Sequence, residues 1–146
     1  MRPRLLRSVM PLVAAFVLTA CSQPDTYEQF IRVSDAPEGV YAFELDLSDS
    51  TALYDFSFYL RNDKASLWAQ AADRAVPLDI VWEAPSGDSW TERVFLSSGD
   101  EHGRVVPFRR DCAPVESGVW TLRVTPQDTD KGWRGLGIIC HRHGTR

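Results

Sequence analysis

The chain has 146 residues, and its 16 Lys and Arg against 20 Asp and Glu give a formal net charge of −4. Residues 1–20 hold three of these basic residues and no acidic one, so residues 21–146 carry about −7. That length suffices for one domain. A net negative charge of this size argues against nucleic-acid binding and against binding of anionic lipid through a polybasic segment.

The first twenty residues are predicted to be an export signal. Arg2, Arg4 and Arg7 form a positive start, and residues 9–20 are apolar and uncharged. This arrangement is typical of a secretory signal peptide. A transmembrane helix would need about 20 apolar residues to cross the bilayer. The apolar run is too short for that, and Pro11 lies near its start.

The end of this signal, Leu18-Thr19-Ala20-Cys21, is similar to a lipobox. It predicts cleavage before Cys21 and acylation of the Cys21 thiol, which would anchor the chain in the lipid bilayer. Two or more acyl chains hold a protein on a membrane firmly. Ser22 follows the cysteine where an aspartate often retains lipoproteins at the inner membrane, so the outer membrane is favoured.

Residues 21–39 are polar and contain Pro24, Pro37 and Gly39, so we predict a lipidated tether there and a folded domain over residues 40–146. Two alternatives remain for the aromatic and aliphatic residues of the tether. They either dock onto the domain or form a first edge strand; these residues are Tyr27, Phe30 and Ile31.

From Val40 onward, apolar residues recur at every second position in short runs separated by turn signals, which is typical of half-buried strands. The runs are 41–47, 54–60, 78–82, 94–96, 105–108, 120–124 and 136–140. We expect the first two to be antiparallel neighbours, Pro77 to mark a strand start or an edge, and Pro107 to break its strand. Residues 67–75 suit either a short helix or an irregular strand. The pattern predicts an all-β fold, a small antiparallel β-sandwich of seven or eight strands.

Two cysteines remain once Cys21 is assigned to lipid. The oxidising compartment that an export signal implies favours a disulfide between Cys112 and Cys140. Two buried free thiols are the alternative.

No residue pattern predicts a catalytic, cofactor or metal site. The chain has no Gly-x-Ser-x-Gly elbow and no glycine-rich phosphate loop after a strand. His141 and His143 would face the same way on a strand, but they are predicted to lie in a solvated tail beside Arg142. Asp128 and Asp130 are spaced like the start of a calcium loop that lacks its downstream Glu, so an acidic hairpin loop is favoured.

Five tryptophans are many for a chain of this size. Trp82 and Trp120 fall in phase with apolar neighbours and are predicted to be in the core, whereas Trp90 and Trp133 lie in or beside turns. We therefore predict that Trp90 and Trp133 are exposed aromatics that bind a sugar or a protein partner. Trp68 falls in the ambiguous segment.

Several segments, taken in order, resemble the gliding-motility lipoprotein H (GldH) family of Bacteroidetes. After the lipobox these are Tyr27-Glu28-Gln29-Phe30, the block from Tyr54 to Asn62, Leu67-Trp68, the strand Gly118 to Val124, and Gly135-Leu136-Gly137-Ile138. The resemblance implies a small β-sandwich lipoprotein of the cell envelope that supports surface motility machinery by binding other proteins. It implies no catalytic residue.

The sequence therefore predicts a non-enzymatic envelope lipoprotein that acts as an assembly or interaction subunit for other envelope proteins. The alternative, suggested by the tryptophan count, is a surface carbohydrate-binding lipoprotein module.

Overall fold

A computed structural model describes residues 24–62, 75–97, 105–129 and 132–144. Within these residues the chain forms two single 3₁₀ turns, Val33–Asp35 and Pro37–Gly39, and eight strands. The strands are β1 (Thr26–Arg32), β2 (Tyr41–Asp46), β3 (Leu53–Asn62), β4 (Ala75–Glu83), β5 (Ser89–Ser97), β6 (Val105–Cys112), β7 (Val119–Pro126) and β8 (Trp133–His143). The predicted signal peptide, Cys21, Trp68 and Asp130 lie outside the described residues.

The strands form two antiparallel four-stranded sheets, which confirms the predicted all-β sandwich. The first sheet has the order β1-β8-β3-β6, and the second has the order β2-β7-β4-β5. No helix in the described part of the chain is long and apolar enough to cross a membrane.

The core lies between the sheets and follows the period of two in the sequence. In β2, Tyr41, Phe43 and Leu45 are buried while the residues between them are exposed. The same alternation places alternate residues of β3, β4, β7 and β8 inside. Side chains of a pleated strand point to opposite faces in turn, so each strand contributes one apolar row to the core.

Two expectations about the order of the elements are wrong. β2 and β3 are not neighbours, because β2 pairs with β7 and β3 lies between β8 and β6 in the other sheet. The segment 21–39 is not all tether, because β1 lies within it and pairs with β8 from Thr26 to Arg32. The folded domain therefore begins well before Val40, and the edge-strand alternative for Tyr27, Phe30 and Ile31 is confirmed.

Neither proline has the effect on its strand that the sequence predicts: Pro77 does not mark a strand start or an edge strand, and Pro107 does not interrupt its strand. β4 begins at Ala75, and Pro77 is paired with Phe95 of β5 just before β7 joins on the other side at Leu78. Pro107 does not break β6. That strand is an edge of its sheet, where a missing N–H is tolerated, and its pairing with β3 shifts register beside Pro107.

An aromatic ring covers a glycine on the outward face of the first sheet. Gly137 of β8 is paired with Tyr59 of β3, and a Cβ at Gly137 would lie 2.1 Å from the Tyr59 ring. Phe30 of β1 stacks on Tyr59 at 5.8 Å between ring centroids. Burial, with help from Glu28, raises the pKa of Tyr59 to about 12. This ring is therefore part of the packed structure although it faces away from the core.

Candidate functional site

An aromatic cleft opens at one end of the sandwich, between the outermost described strands of the two sheets. β5 is an edge of one sheet and β6 is an edge of the other. The cleft encloses about 230 Å³. Its walls come from both sheets and from the β6–β7 loop, and they include Leu47, Tyr54, Phe56, Trp82, Trp90, Arg109, Cys112, Pro114, Val115 and Trp120. We call this the Trp90 cleft.

Trp90 forms the exposed wall of the Trp90 cleft. It is 42% exposed, whereas Trp82 and Trp120 are 4% and 2% exposed. Trp90 lies directly opposite Trp82 in the β4–β5 ladder, and their rings stack at 6.2 Å with an interplanar angle of 19°. The rings of Trp90 and Trp120 meet in a T-shaped arrangement with their centroids 5.2 Å apart. Two buried rings thus hold a third in place at the mouth of the cleft.

Polar groups lie next to these rings. The indole N–H of Trp82 donates to Glu92 Oε1 at 2.7 Å. Glu92 Oε2 lies 2.5 Å from a guanidinium nitrogen of Arg109, so this ion pair joins β5 to β6 across the open edge. Because the Arg109 side chain is 45% exposed, its remaining N–H groups face solvent at the cleft. The site combines an aromatic surface with charged donors and acceptors.

The prediction for Trp133 is wrong. Trp133 is 3% exposed, and its indole N–H donates to the hydroxyl of Tyr41 at 2.8 Å. It is the first residue of β8, and Tyr41 is the first residue of β2 in the other sheet. The bond therefore joins the two sheets through their core. The predictions for Trp82, Trp120 and the exposure of Trp90 are confirmed.

The predicted disulfide is also wrong, since Cys112 and Cys140 are free thiols. Cys112 is paired with Tyr54 and Cys140 with Phe56, on opposite sides of β3. Two strand spacings separate their Cα atoms by roughly 10 Å, and a disulfide needs less than about 7 Å. Burial, with Asp55 and Cys112 nearby, raises the pKa of Cys140 to about 12. Burial also raises the pKa of Cys112.

The histidine pair is not a solvated tail. His141 and His143 belong to β8 and point to its outward face, where their rings stack at 5.7 Å. His141 Nδ1 lies 2.9 Å from the Thr26 hydroxyl of β1. His143 Nε2 lies 2.9 Å from Asp55 Oδ1 and 3.5 Å from Asp111 Oδ1.

These two aspartates come from β3 and β6, which the sequence separates widely from His143. The backbone N–H of Asp111 also donates to Asp55 Oδ1 at 2.8 Å. Burial raises the pKa of Asp55. The hydrogen bond from the Asp111 N–H and the close approach of the His143 ring outweigh this and leave the pKa below its usual value. The sequence held no local signal for this cluster, because each of its three residues lies on a different strand. Asp128, the other acidic candidate, is exposed and has a left-handed φ of 58°.

A second hollow of about 360 Å³ lies at the same end of the sandwich and includes Pro24, Tyr27, Leu45 and Cys140 among its walls. Tyr54 lines both this hollow and the Trp90 cleft. Arg142 holds the start of the described chain here, since its backbone N–H donates to Asp25 O and its guanidinium lies 3.1 Å from Asp25 Oδ1. The cleft and the residues that follow the predicted anchor thus share one end of the domain.

No protein-family model and no curated protein matches the chain. The resemblance to the GldH family therefore stays a prediction. Two solved structures are similar at low level. TmCBM61 in complex with β-1,4-galactotriose is 13% identical with a TM-score of 0.35, over 71% of this chain and 61% of that one. Infectious bursal disease virus, Gt strain, is 14% identical with a TM-score of 0.35, over 81% of this chain and 31% of that one. This chain thus spans less than two thirds of either, and likenesses at these scores carry no argument about function.

Proposed function

We propose that this protein is a non-enzymatic, lipid-anchored module of the cell envelope that binds a glycan in the Trp90 cleft. The observation that supports this most directly is the exposed Trp90 ring, which Trp82 and Trp120 hold in place at the mouth of a cleft. A fixed and partly exposed indole beside charged groups is a surface with one apolar face and one polar side.

A sugar ring matches this surface chemically. Its C–H face is apolar and packs on an aromatic ring, while its hydroxyls accept from a guanidinium and donate to a carboxylate. Arg109 lines the cleft next to Trp90 and supplies the guanidinium. Glu92 is its ion-pair partner on the same strand as Trp90. The volume of about 230 Å³ is below the range of roughly 300–1,000 Å³ for drug-sized ligands. We therefore expect the cleft to hold one sugar unit of a longer glycan.

If Cys21 is acylated as proposed, the anchor would hold this cleft near the membrane. Cys21 precedes Pro24 by three residues, which span at most about 10 Å when extended. Pro24 lies at the same end of the sandwich as the cleft. Confinement to a membrane surface raises the effective concentration of ligands on that surface without any new contact. The ligand we expect is a glycan displayed close to the bilayer.

Isothermal titration calorimetry against a panel of oligosaccharides tests this proposal. We expect saturable heat for at least one glycan and its loss in Trp90→Ala. Phe95→Ala is the matched control, because Phe95 is on the same strand, is 64% exposed and faces away from the cleft. The absence of heat across the panel, or equal loss in both variants, would contradict the proposal.

The second candidate is the assembly or interaction subunit that the GldH resemblance implies. One observation favours it. Among the described strands β5 is an edge of its sheet and carries an exposed Phe95, and an edge strand can pair with a strand from a partner. Crosslinking in mild detergent should then recover an envelope protein from wild type and Trp90→Ala but not from Phe95→Ala. Loss in Trp90→Ala alone would mean that the protein partner contacts the Trp90 cleft and not the β5 edge.

A further inference from the structure

Asp55, Asp111 and His143 meet on the outward face of the first sheet, away from the interior side that lines the Trp90 cleft. They come from the neighbouring strands β3, β6 and β8. One ligand atom from each, a carboxylate oxygen or an imidazole nitrogen, lies within 4.8 Å of the other two. We call these residues the Asp–Asp–His cluster.

The spacing of these atoms fits a tetrahedral metal centre. Bonds of about 2.0–2.1 Å from zinc to nitrogen and oxygen place neighbouring ligand atoms roughly 3.3 Å apart in a tetrahedron. The measured separations from His143 Nε2, 2.9 Å to Asp55 and 3.5 Å to Asp111, lie on either side of that value. The two carboxylate oxygens lie within 4.8 Å of each other, so an ion would also have to draw these two groups together.

The state of the imidazole is a separate observation that points to a ligand. The Nε2 atom of His143 is shielded from solvent, although 31% of the side chain is exposed, and it lies 2.9 Å from Asp55 Oδ1. Even so, none of the residues that the structure describes gives it a hydrogen bond of acceptable geometry. A neutral imidazole offers an unshared electron pair at such a nitrogen. Asp55 Oδ1, which already accepts from the N–H of Asp111, also faces this nitrogen.

The donor set indicates the class of ion. Calcium and magnesium prefer oxygen ligands, whereas one imidazole with carboxylates suits zinc and neighbouring divalent transition metals. Three protein ligands leave a fourth position for water or another ligand. Asp111 is 71% exposed, so that position opens to solvent.

We propose that the Asp–Asp–His cluster is a binding site for a divalent transition-metal ion, with zinc as the best match. Asp55 and Asp111 would each supply one oxygen, and His143 would supply Nε2. Two carboxylates and a neutral imidazole compensate the charge of the ion in full. This site goes beyond the proposed glycan binding and does not depend on it.

Calorimetric titration of the full chain, without an affinity tag and after treatment with a chelator, tests the site with ZnCl₂. We expect about one Zn²⁺ per chain, a rise in unfolding temperature with zinc, and no comparable response to MgCl₂ or CaCl₂. Asp111→Asn should weaken zinc binding by about tenfold or more. Asn tolerates the left-handed φ of 51° at this exposed position, so the fold should be kept.

His143→Gln should weaken binding to a similar extent. His141→Gln is its matched control, because His141 stacks on His143 but is not one of the three ligands. Zinc binding that is absent in wild type, unchanged in Asp111→Asn, or lost equally in His141→Gln would overturn the proposal. The first of these outcomes would leave the cluster as an ion pair between β3, β6 and β8.

Discussion

The strands β3, β6 and β8 present two faces that differ in chemistry although they share one backbone. On the inward face, Phe56 and Cys140 pack in the apolar core and Tyr54 lines the Trp90 cleft. On the outward face lie Asp55, between Tyr54 and Phe56 in the sequence, and His143, at the end of β8. The apolar composition of the inward face follows from the alternation of hydrophobic residues within each strand. The contacts on the outward face depend on which residues of neighbouring strands the register places side by side.

The largest effect should come from the inward face. Phe56 is 2% exposed and packs against Trp82 and Phe108. Phe56→Ala should lower the free energy of unfolding by about 3–5 kcal/mol, because it leaves a cavity where three rings met. Ser57→Ala, the next residue on the outward face, should change it by less than about 1 kcal/mol. Urea unfolding measures both, and similar losses would remove the distinction between the faces.

Thiol chemistry should separate the two cysteines of the inward face. With a pKa of about 12, Cys140 is ionised to only about one part in 10⁴ at pH 8. We expect iodoacetamide to label it at least about a thousandfold more slowly in the native protein than in urea. Cys112, which is only half-buried, should react faster. Mass spectrometry of the modified peptides checks this, and equal native labelling would contradict the structure at β8.

A smaller effect should show that the outward face also contains packed structure. Gly137→Ala places a Cβ 2.1 Å from the Tyr59 ring, so the ring must leave Phe30. We expect a loss of about 1–3 kcal/mol, typical of overpacking. A double variant, Gly137→Ala with Tyr59→Ala, should cost less than the sum of the two single changes. Additive losses would mean that the ring does not cover the glycine.

The smallest effect concerns acid stability. The pKa of Asp55 is lower in the folded protein than in the unfolded chain, so its carboxylate stabilises the fold above the unfolded value near 4. That contribution is lost as the pH falls through the folded pKa. The side chain is 34% exposed, so solvent screening limits the effect to less than about 1 kcal/mol. Urea midpoints from pH 6 to pH 2 should fall less steeply in Asp55→Asn, and an unchanged slope would contradict this.

The sequence by itself determined the all-β class, most of the strands and the inward rows, because a strand has a period of two and each core row shows in its own residues. It also identified Trp90, which lies at the start of a strand beside a turn. The sequence did not predict that Trp133 is buried. A residue beside a turn can still be covered by the opposite sheet, and here Tyr41 of that sheet contacts Trp133.

Only the tertiary structure determined which residues from distant strands are in contact. The compartment argument favoured a bond between Cys112 and Cys140, but strand order places β3 between them. The same strand order joins His143 to Asp55 and Asp111, which have no shared sequence pattern. Pairing between distant strands depends on how whole sheets bury their apolar faces. No local stretch of sequence encodes it, and both candidate sites of this protein depend on it.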